Sequence, residues 1–444
     1  MSARPPLPGG PYLIVGLARS GIAAALMLHA RGEEAIGVDA GAPEVGRLRA
    51  AGVEVHLDAA GLELLDRARA LVKSPGVPPS APLVRAARER GLPVLGEVEL
   101  AWRLLPNDFI AVTGTNGKTT TTELIGHVHR EAGLPVAVAG NVGTPVASLV
   151  GALSASATVV CETSSYQLED TLAFAPSAAL LLNVTPDHLD RHGTFEAYRE
   201  AKLEAFRRQG PDDVAVAPPS LAALLPGEAR RVTFGAAVAG APAPAVALHD
   251  DGTITWQGQP LLHADEIGIP GPHNRENAMA AAAVTLARGV DPDAVRAGLR
   301  SFGGVAHRLE PIRTLDGVAW VNDSKATNVG ATEVALRSYP RGTVHLIAGG
   351  VTKSQEFTSL AALVAERCAA VYLIGEGAPE IAAALAPAGV PLHNVGEMAG
   401  AVAAAGAAAR DGDVVLLSPA CASFDQYVNF EARGDHFRRL VEER

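Results

Sequence analysis

Short apolar runs alternate with helix-like stretches along most of the chain. Pro11-Tyr12-Leu13-Ile14-Val15 reads as a strand, residues 20–31 as a helix, and Ala35-Ile36-Gly37-Val38 as a second strand. This is the βαβ rhythm of an open parallel sheet. The rhythm continues through Ala70-Leu71-Val72 and through Phe109-Ile110-Ala111-Val112, which leads into a helix over 119–132. Further strands are predicted at 158–161, 179–182, 344–347, 371–374 and 414–417, with an Ala-rich helix over 273–288. Residues 236–244 form a low-complexity Ala/Gly/Pro stretch, read as a surface loop beside small strands such as Thr253-Ile254-Thr255-Trp256. The fold class is therefore α/β. Residues 100–106 read as the hand-over to a second domain, and a third α/β unit begins near Gly304.

The length, 444 residues, fits about three domains. The net charge of −11 argues against nucleic acid or an anionic membrane as partner. Basic residues that meet an anionic substrate must then be local. Three cysteines, Cys161, Cys368 and Cys421, are too few and too scattered for a disulfide framework or a zinc site. The chain shows no charged-then-apolar leader and no apolar run of membrane-spanning length. We expect a soluble monomer of the cytoplasm, without membrane insertion.

The candidate chemistry starts at Gly114-Thr115-Asn116-Gly117-Lys118-Thr119-Thr120. A glycine-rich turn between strand and helix aims backbone N–H groups and the helix dipole at one spot, which suits a polyphosphate. Lys118 would reach the outer phosphates, and the Thr119 hydroxyl would sit on magnesium. The turn departs from the strict phosphate-loop spacing, because Val112 stands where the first glycine belongs. ATP or GTP is the expected ligand. Gly16-Leu17-Ala18-Arg19-Ser20-Gly21, with Asp39 after the second strand, is a degraded dinucleotide fingerprint. It fits an NAD site, a nucleotide-like phosphate site or a merely tight turn. A second turn, Lys73-Ser74-Pro75-Gly76, belongs to the same sheet edge.

Glu162, opening Glu162-Thr163-Ser164-Ser165, is placed to complete a magnesium shell with Thr119. Asp187, His188 and Asp190 offer a second metal ligand, although a lone histidine is also a common structural residue. Asn274 and Asn277 lie three apart on one helical face and suit an adenine edge; Asn274 as a simple N-cap is the alternative. Further on, Arg308 suits a γ-phosphate clamp, Asp323 a ribose, and Lys325 the charge that develops in phosphoryl transfer. Lys353 suits a carboxylate substrate or is a solvated loop lysine.

These blocks, together with Asn183 to Asp190, His307-Arg308 and Asn322 to Asn328, resemble the Mur ligases, ATP-dependent amide ligases of peptidoglycan precursor synthesis. The resemblance spans essentially the whole chain. It implies a Rossmann-like domain over 1–99, a central P-loop NTPase-like parallel sheet over 100–303, and a Rossmann-like C-terminal domain over 304–444. Gly16 to Gly21, Ser74-Pro75-Gly76, and the end Ser418 to Tyr427 with Asn429 to Gly434 are similar to the D-glutamate-adding branch. The implied substrates are UDP-MurNAc-L-Ala, D-glutamate and ATP, with an acyl-phosphate intermediate. The implied cofactor is Mg2+ at two sites, one held by Thr119 and Glu162, the other by His188 and a carbamylated Lys202. Lys118, Lys202, His188, Lys325 and Arg308 are the implied catalytic residues. The 114–120 loop, Asn274, Asn277, Arg308 and Asp323 would hold ATP. Ser20, Asp39, Ser74, Asn141, Ser164 and His188 would meet the UDP substrate; Thr327, Lys353, Ser423 and Phe430 would meet D-glutamate. Two departures stand out. Val351-Thr352 replace a turn that carries Asp in many relatives, and Ala40-Gly41 replace a Thr-Arg pair, leaving uracil to Ser20 or backbone groups.

Other readings are a folylpolyglutamate-type ligase, a nucleotide switch without ligation, and an NAD oxidoreductase. The first would need its phosphate loop near the N-terminus. The second would not need Lys202, His188 and a third domain of polar strand ends. The third rests only on the Gly16 turn.

Overall fold

The computed structural model describes residues 4–352 and 355–444. The chain divides into two compact units, one ending at Phe302 and the other starting at Gly303. The first unit contains two sheets and the second contains one.

The first sheet is built from β1 (Tyr12–Val15), β2 (Ala35–Val38), β3 (Glu54–His56), β4 (Ala70–Lys73) and β5 (Val94–Gly96), in the order β3-β2-β1-β4-β5. All its pairings are parallel. The strands β1, β2 and β4 are apolar almost throughout because helices cover both faces of a parallel sheet. The strand β4 extends one residue beyond the expected run and takes in Lys73. That lysine is buried at the strand end, where its ammonium meets Asp170 at 2.7 Å and Glu169 at 3.3 Å. A cation so placed needs its carboxylates, which come from the turn after the helix Ser165–Leu168, about a hundred residues later.

The second sheet has nine strands: β6 (Phe109–Thr113), β7 (Val136–Gly140), β8 (Thr158–Glu162), β9 (Ala178–Leu181), β10 (Val214–Ala217), β11 (Arg230–Ala236), β12 (Val246–Leu248), β13 (Thr253–Trp256) and β14 (Gln259–His263). Their order is β14-β13-β12-β11-β10-β9-β6-β8-β7. The chain runs to one side of β6 through β7 and β8, then returns to the other side with β9. The loop after β6 therefore sits at the switch point where ligands enter such sheets. The low-complexity stretch connects β11 to β12.

The expected hand-over at 100–106 falls between the two sheets of the first unit, and it is made by a helix rather than a polar linker. Residues Glu97–Leu104 form a helix whose Leu100, Ala101 and Trp102 are buried. They join one hydrophobic cluster that runs from Tyr12 and Ile14 to Phe109, Phe174 and Leu181. A period-3.6 apolar stripe facing two sheets at once leaves no polar linker to detect.

The second unit carries β15 (Glu310–Leu315), β16 (Val318–Asn322), β17 (Val344–Gly349), β18 (Cys368–Ile374), β19 (Leu392–Gly396) and β20 (Val414–Leu417), in the order β15-β16-β20-β17-β18-β19. Only β15 with β16 is antiparallel. The last strand, β20, inserts between β16 and β17, so the loops after these three strands open side by side. The sheet has its own cores on both faces.

Candidate active site

In the first unit the loop 114–117 passes from β6 into the helix Lys118–Glu131. Gly117 is the N-cap with φ 83°, a left-handed conformation that favours glycine. A Cβ there would also strike the Asn277 amide, so the Ala-rich helix Pro272–Ala287 presses on the loop through Asn277. Asn183, just past β9, staples the loop. Its Oδ1 accepts from Thr115 N at 3.1 Å and Asn116 N at 2.9 Å, and its Nδ2 donates to Asn116 O at 3.2 Å. The Thr115 hydroxyl bonds Thr185 O at 3.2 Å and Tyr198 Oη at 3.1 Å. Backbone amides at a helix N-terminus, held rigid in this way, form an anion cradle.

Two lysines converge on this loop. Lys118 Nζ donates to Gly114 O at 2.9 Å and Thr115 O at 2.8 Å. Lys202, on the helix Phe195–Leu203, is 1 % exposed and donates to the same Gly114 oxygen at 2.8 Å. Its ammonium also lies 4.4 Å from the Tyr198 ring centroid. Burial, and then the nearby Lys118 charge, lower Lys202 to about 7, with Asp187 opposing. About half of this helix lysine is therefore neutral near pH 7.

Glu162 ends β8 in register with Val112 of β6 and is buried. Asn141 donates its amide to Glu162 Oε1 at 3.1 Å and its backbone N–H to Glu162 O at 2.9 Å. Thr119 is buried in the first turn of the loop helix, while Thr120 is half-buried beside it. A carboxylate and a hydroxyl are hard oxygen donors, the type that suits Mg2+. His188 has a left-handed backbone (φ 51°) and a half-exposed ring, 5.0 Å from Tyr166 and 6.1 Å from Tyr198 between centroids. Its Nε2 lies 3.6 Å from Asp187 Oδ2. As an ammonium Lys202 donates only and is no metal ligand. As a carbamate it would offer two oxygens and keep one N–H for Gly114 O. Among the described residues no group of three or more His, Cys, Asp or Glu side chains converges as a metal site.

Several expected residues have structural partners. Ser164 caps the helix Ser165–Leu168, accepting from Gln167 N at 3.3 Å. Asp39 accepts from Leu17 N at 2.6 Å and Gly41 N at 2.9 Å, so its carboxylate shapes the Gly16 turn. Ser74 donates to Gly16 O at 2.6 Å. Ser20 is half-buried at the start of the helix Arg19–Ala30. Asn274 is not an N-cap. Gly271 takes that place, Pro272 follows at N1, and the Asn274 amide bonds Pro270 O at 2.7 Å and receives Asn277 Nδ2 at 3.2 Å. Pro272 fixes the helix start three residues earlier than the Asn signal suggests.

In the second unit, Arg308 is exposed on a sharp turn between His307 (φ 62°) and Leu309 (φ 43°), both in left-handed backbone. Asp323 is buried, with Oδ1 accepting Leu309 N at 3.1 Å and Oδ2 accepting Ser418 Oγ at 2.8 Å. Burial raises its carboxyl to about 7. Lys325 and Thr327 follow on the loop after β16, Ser423 is buried on the loop after β20, and Phe430 opens the helix Phe430–Glu442. Lys353 lies outside the described residues. The sequence reading gave no role of their own to Asn183, Tyr198 or Arg433. Asn183 and Tyr198 were detectable only as polar residues near a strand end and on an amphipathic helix.

Three family models match the chain. They are a Mur ligase MurD-like N-terminal domain over residues 11–96, a Mur ligase middle domain over 112–285, and a Mur ligase glutamate ligase domain over 307–421. The UDP-N-acetylmuramoylalanine–D-glutamate ligase of Pelotomaculum thermopropionicum is 41% identical, covering 97% of this chain and 96% of its own. The protein of the same name from Anaeromyxobacter dehalogenans is 43% identical, covering 99% of each. Among solved structures, the UDP-N-acetylmuramate–alanine ligase MurC of Thermotoga maritima aligns with a TM-score of 0.58 at 19% identity, covering 97% of this chain and 99% of that one. The MurF ligase of the same organism, in complex with ADP, aligns with a TM-score of 0.54 at 19% identity, covering 98% and 96%. At these identities the structures share the fold.

Proposed function

The chain belongs to the Mur ligase family, and we propose on that footing that it adds D-glutamate to UDP-N-acetylmuramoyl-L-alanine with consumption of ATP, in peptidoglycan precursor synthesis. The observation that carries the reading is near-full-length similarity to relatives of that named activity, joined to an anion cradle whose loop is held by Asn183, Asn277 and two lysines. In this reading the carboxylate of the UDP substrate takes the γ-phosphoryl group of ATP, giving an acyl phosphate and ADP. The D-glutamate amine then attacks the acyl carbon, loses a proton, and phosphate leaves.

The chain's own groups have these parts. Amides of 114–120 bind the polyphosphate, and Lys118 offsets charge on the transferring group. Arg308, Asp323 and Lys325 keep the ATP roles that the resemblance implies. Asn141 orients Glu162, which with Thr119 would hold Mg2+. His188 and a carbamylated Lys202 would hold a second ion. Bound Mg2+ supplies charge neutralisation for the phosphoryl oxygens. Carbamylation consumes the neutral amine: its nitrogen bonds the carbon of CO2 and releases a proton. A buried amine lowered to about 7 supports that chemistry.

The test is ATP-dependent phosphate release with UDP-MurNAc-L-Ala and a panel of amino acids, with product masses. Product with D-glutamate is expected. Product with L-lysine or meso-diaminopimelate, and none with D-glutamate, would remove the acceptor assignment.

A further inference from the structure

The segment that carries His188 has little of its own to hold it in place. It is the one-turn helix Leu189–His192, with His188 as N-cap and Gly193 (φ 77°) ending it. A single turn does not sustain itself in water. None of its residues is buried, and Leu189, its large apolar side chain, is 43 % exposed. His188 has a left-handed backbone, which persists in a residue other than glycine only where the surroundings impose it. Polar anchors must therefore place this turn.

The main anchor is Arg191, whose side chain is only 9 % exposed. Its backbone N–H donates to His188 O at 3.1 Å, so the two residues share one turn. From there Nη2 donates to Glu169 Oε1, to Val77 O at 3.1 Å and, at 3.4 Å, to Pro75 O. The guanidinium carbon stands 4.6 Å over the centroid of the Tyr166 ring, which flanks the His188 ring. His192 Nε2 with Ser165 Oγ, at 3.0 Å, holds the end of the turn. Glu169 Oε1 and Val77 O are also partners of Lys73, at 3.3 and 2.9 Å. One carboxylate and one carbonyl thus join two cations, one at the end of β4 in the first sheet and one after β9 in the second. Stability alone is a poor reason for this arrangement. Arg191 Nε is buried with no hydrogen bond, and ion pairs of low exposure are weak evidence for net stabilisation.

We propose that Arg191 is a positioning residue for His188, a guanidinium that fixes the His188 turn against Glu169 and the carbonyls of the turn after β4. The proposal rests on the reading in which His188 serves the ligase reaction. Lysine keeps the charge but not the planar group that lies on Tyr166 and reaches a carboxylate and two carbonyls at once.

The experiment is a double-mutant cycle in the full-length enzyme: wild type, Arg191→Lys, His188→Ala and the pair, each with a melting curve and with kcat at saturating substrates. Arg191→Lys should lower kcat roughly tenfold where His188 is intact, and by less than about twofold where His188 is already replaced. Equal losses in both backgrounds would overturn the proposal, because Arg191 would then act independently of His188. A second readout needs neither substrate nor metal. With 13 histidines, the imidazole carbons of 13C-histidine-labelled protein give a tractable NMR spectrum, and the His188 signal is the one lost in His188→Ala. In Arg191→Lys that signal should move as the ring shifts against Tyr166 and Tyr198, while those of His345 and His393 in the second unit stay. An unmoved His188 signal in folded Arg191→Lys would also overturn the proposal. If Arg191→Lys does not fold, Glu169→Gln, which keeps an acceptor and weakens the pairing, decides in the same terms with a loss of about threefold. Wild-type turnover in His188→Ala would instead remove His188 from the reaction, a failure of the ligase reading that takes the proposal with it.

Discussion

Lys202 shows how far one residue can depart from its appearance in the sequence. By pattern alone it is one lysine of an amphipathic helix, singled out only by the family resemblance; in the structure it is buried against a carbonyl that it shares with Lys118. We expect Lys202→Ala to be nearly inactive, and acetate at high concentration to restore part of the activity by filling the vacated anion position. Wild-type turnover by the variant at low Mg2+ would exclude Lys202 from the mechanism. Glu97 makes a different prediction. It is buried, Oε1 accepts Ala147 N at 2.5 Å, and Oε2 has no partner. Burial raises its carboxyl to about 7 from 4.5. The native state therefore keeps the proton up to about pH 7, whereas the unfolded chain releases it near 4.5. Stability falls as pH rises between those values. At about 1.36 kcal/mol per pH unit, the loss above pH 7 is on the order of 3–4 kcal/mol. Glu97→Gln keeps the acceptor and removes the ionisation, so it should raise the melting temperature at pH 8 and change it little at pH 4.5. An equal gain at both values would show that ionisation is not the cause.

The turn between β6 and its helix is legible in the sequence because its signals are local: an apolar run, two glycines at fixed spacing, then Lys-Thr-Thr. The staple that holds the turn is not, because Asn183 lies 67 residues from Asn116. Lys73 and Arg433 are hidden for the same reason, with partners about a hundred residues away. Most strands are legible as apolar runs of four to five residues, and their ends shift by a residue where a polar side chain such as Lys73 is buried by pairing. Asn183→Ala tests the element. Asn116 would lose the partners of its amide and its carbonyl, while Thr115 N would keep only the Asn183 backbone oxygen, at about 1 kcal/mol per bond lost. We expect KM for ATP to rise roughly tenfold or more with the fold kept, as judged by circular dichroism. An unchanged KM would mean that the loop holds its shape without the staple.

Across the whole molecule, the region from Gly303 onward has a complete sheet with a hydrophobic core on each face. A fragment of residues 303–444 should therefore fold alone and unfold cooperatively; a chain without dispersed amide NMR signals would contradict this. Residues 4–105 are differently placed. Their helix Glu97–Leu104 packs into the cluster that also contains Phe109, Phe174 and Leu181. Family models draw a border between residues 96 and 112, yet the apolar contacts run straight through it. In recombination between distant relatives, a breakpoint in that interval would mate two halves of a core that never adapted to each other. A breakpoint beside residue 303 would leave both of the compact units intact. Shuffled libraries should therefore retain folded chimeras at the second junction far more often than at the first.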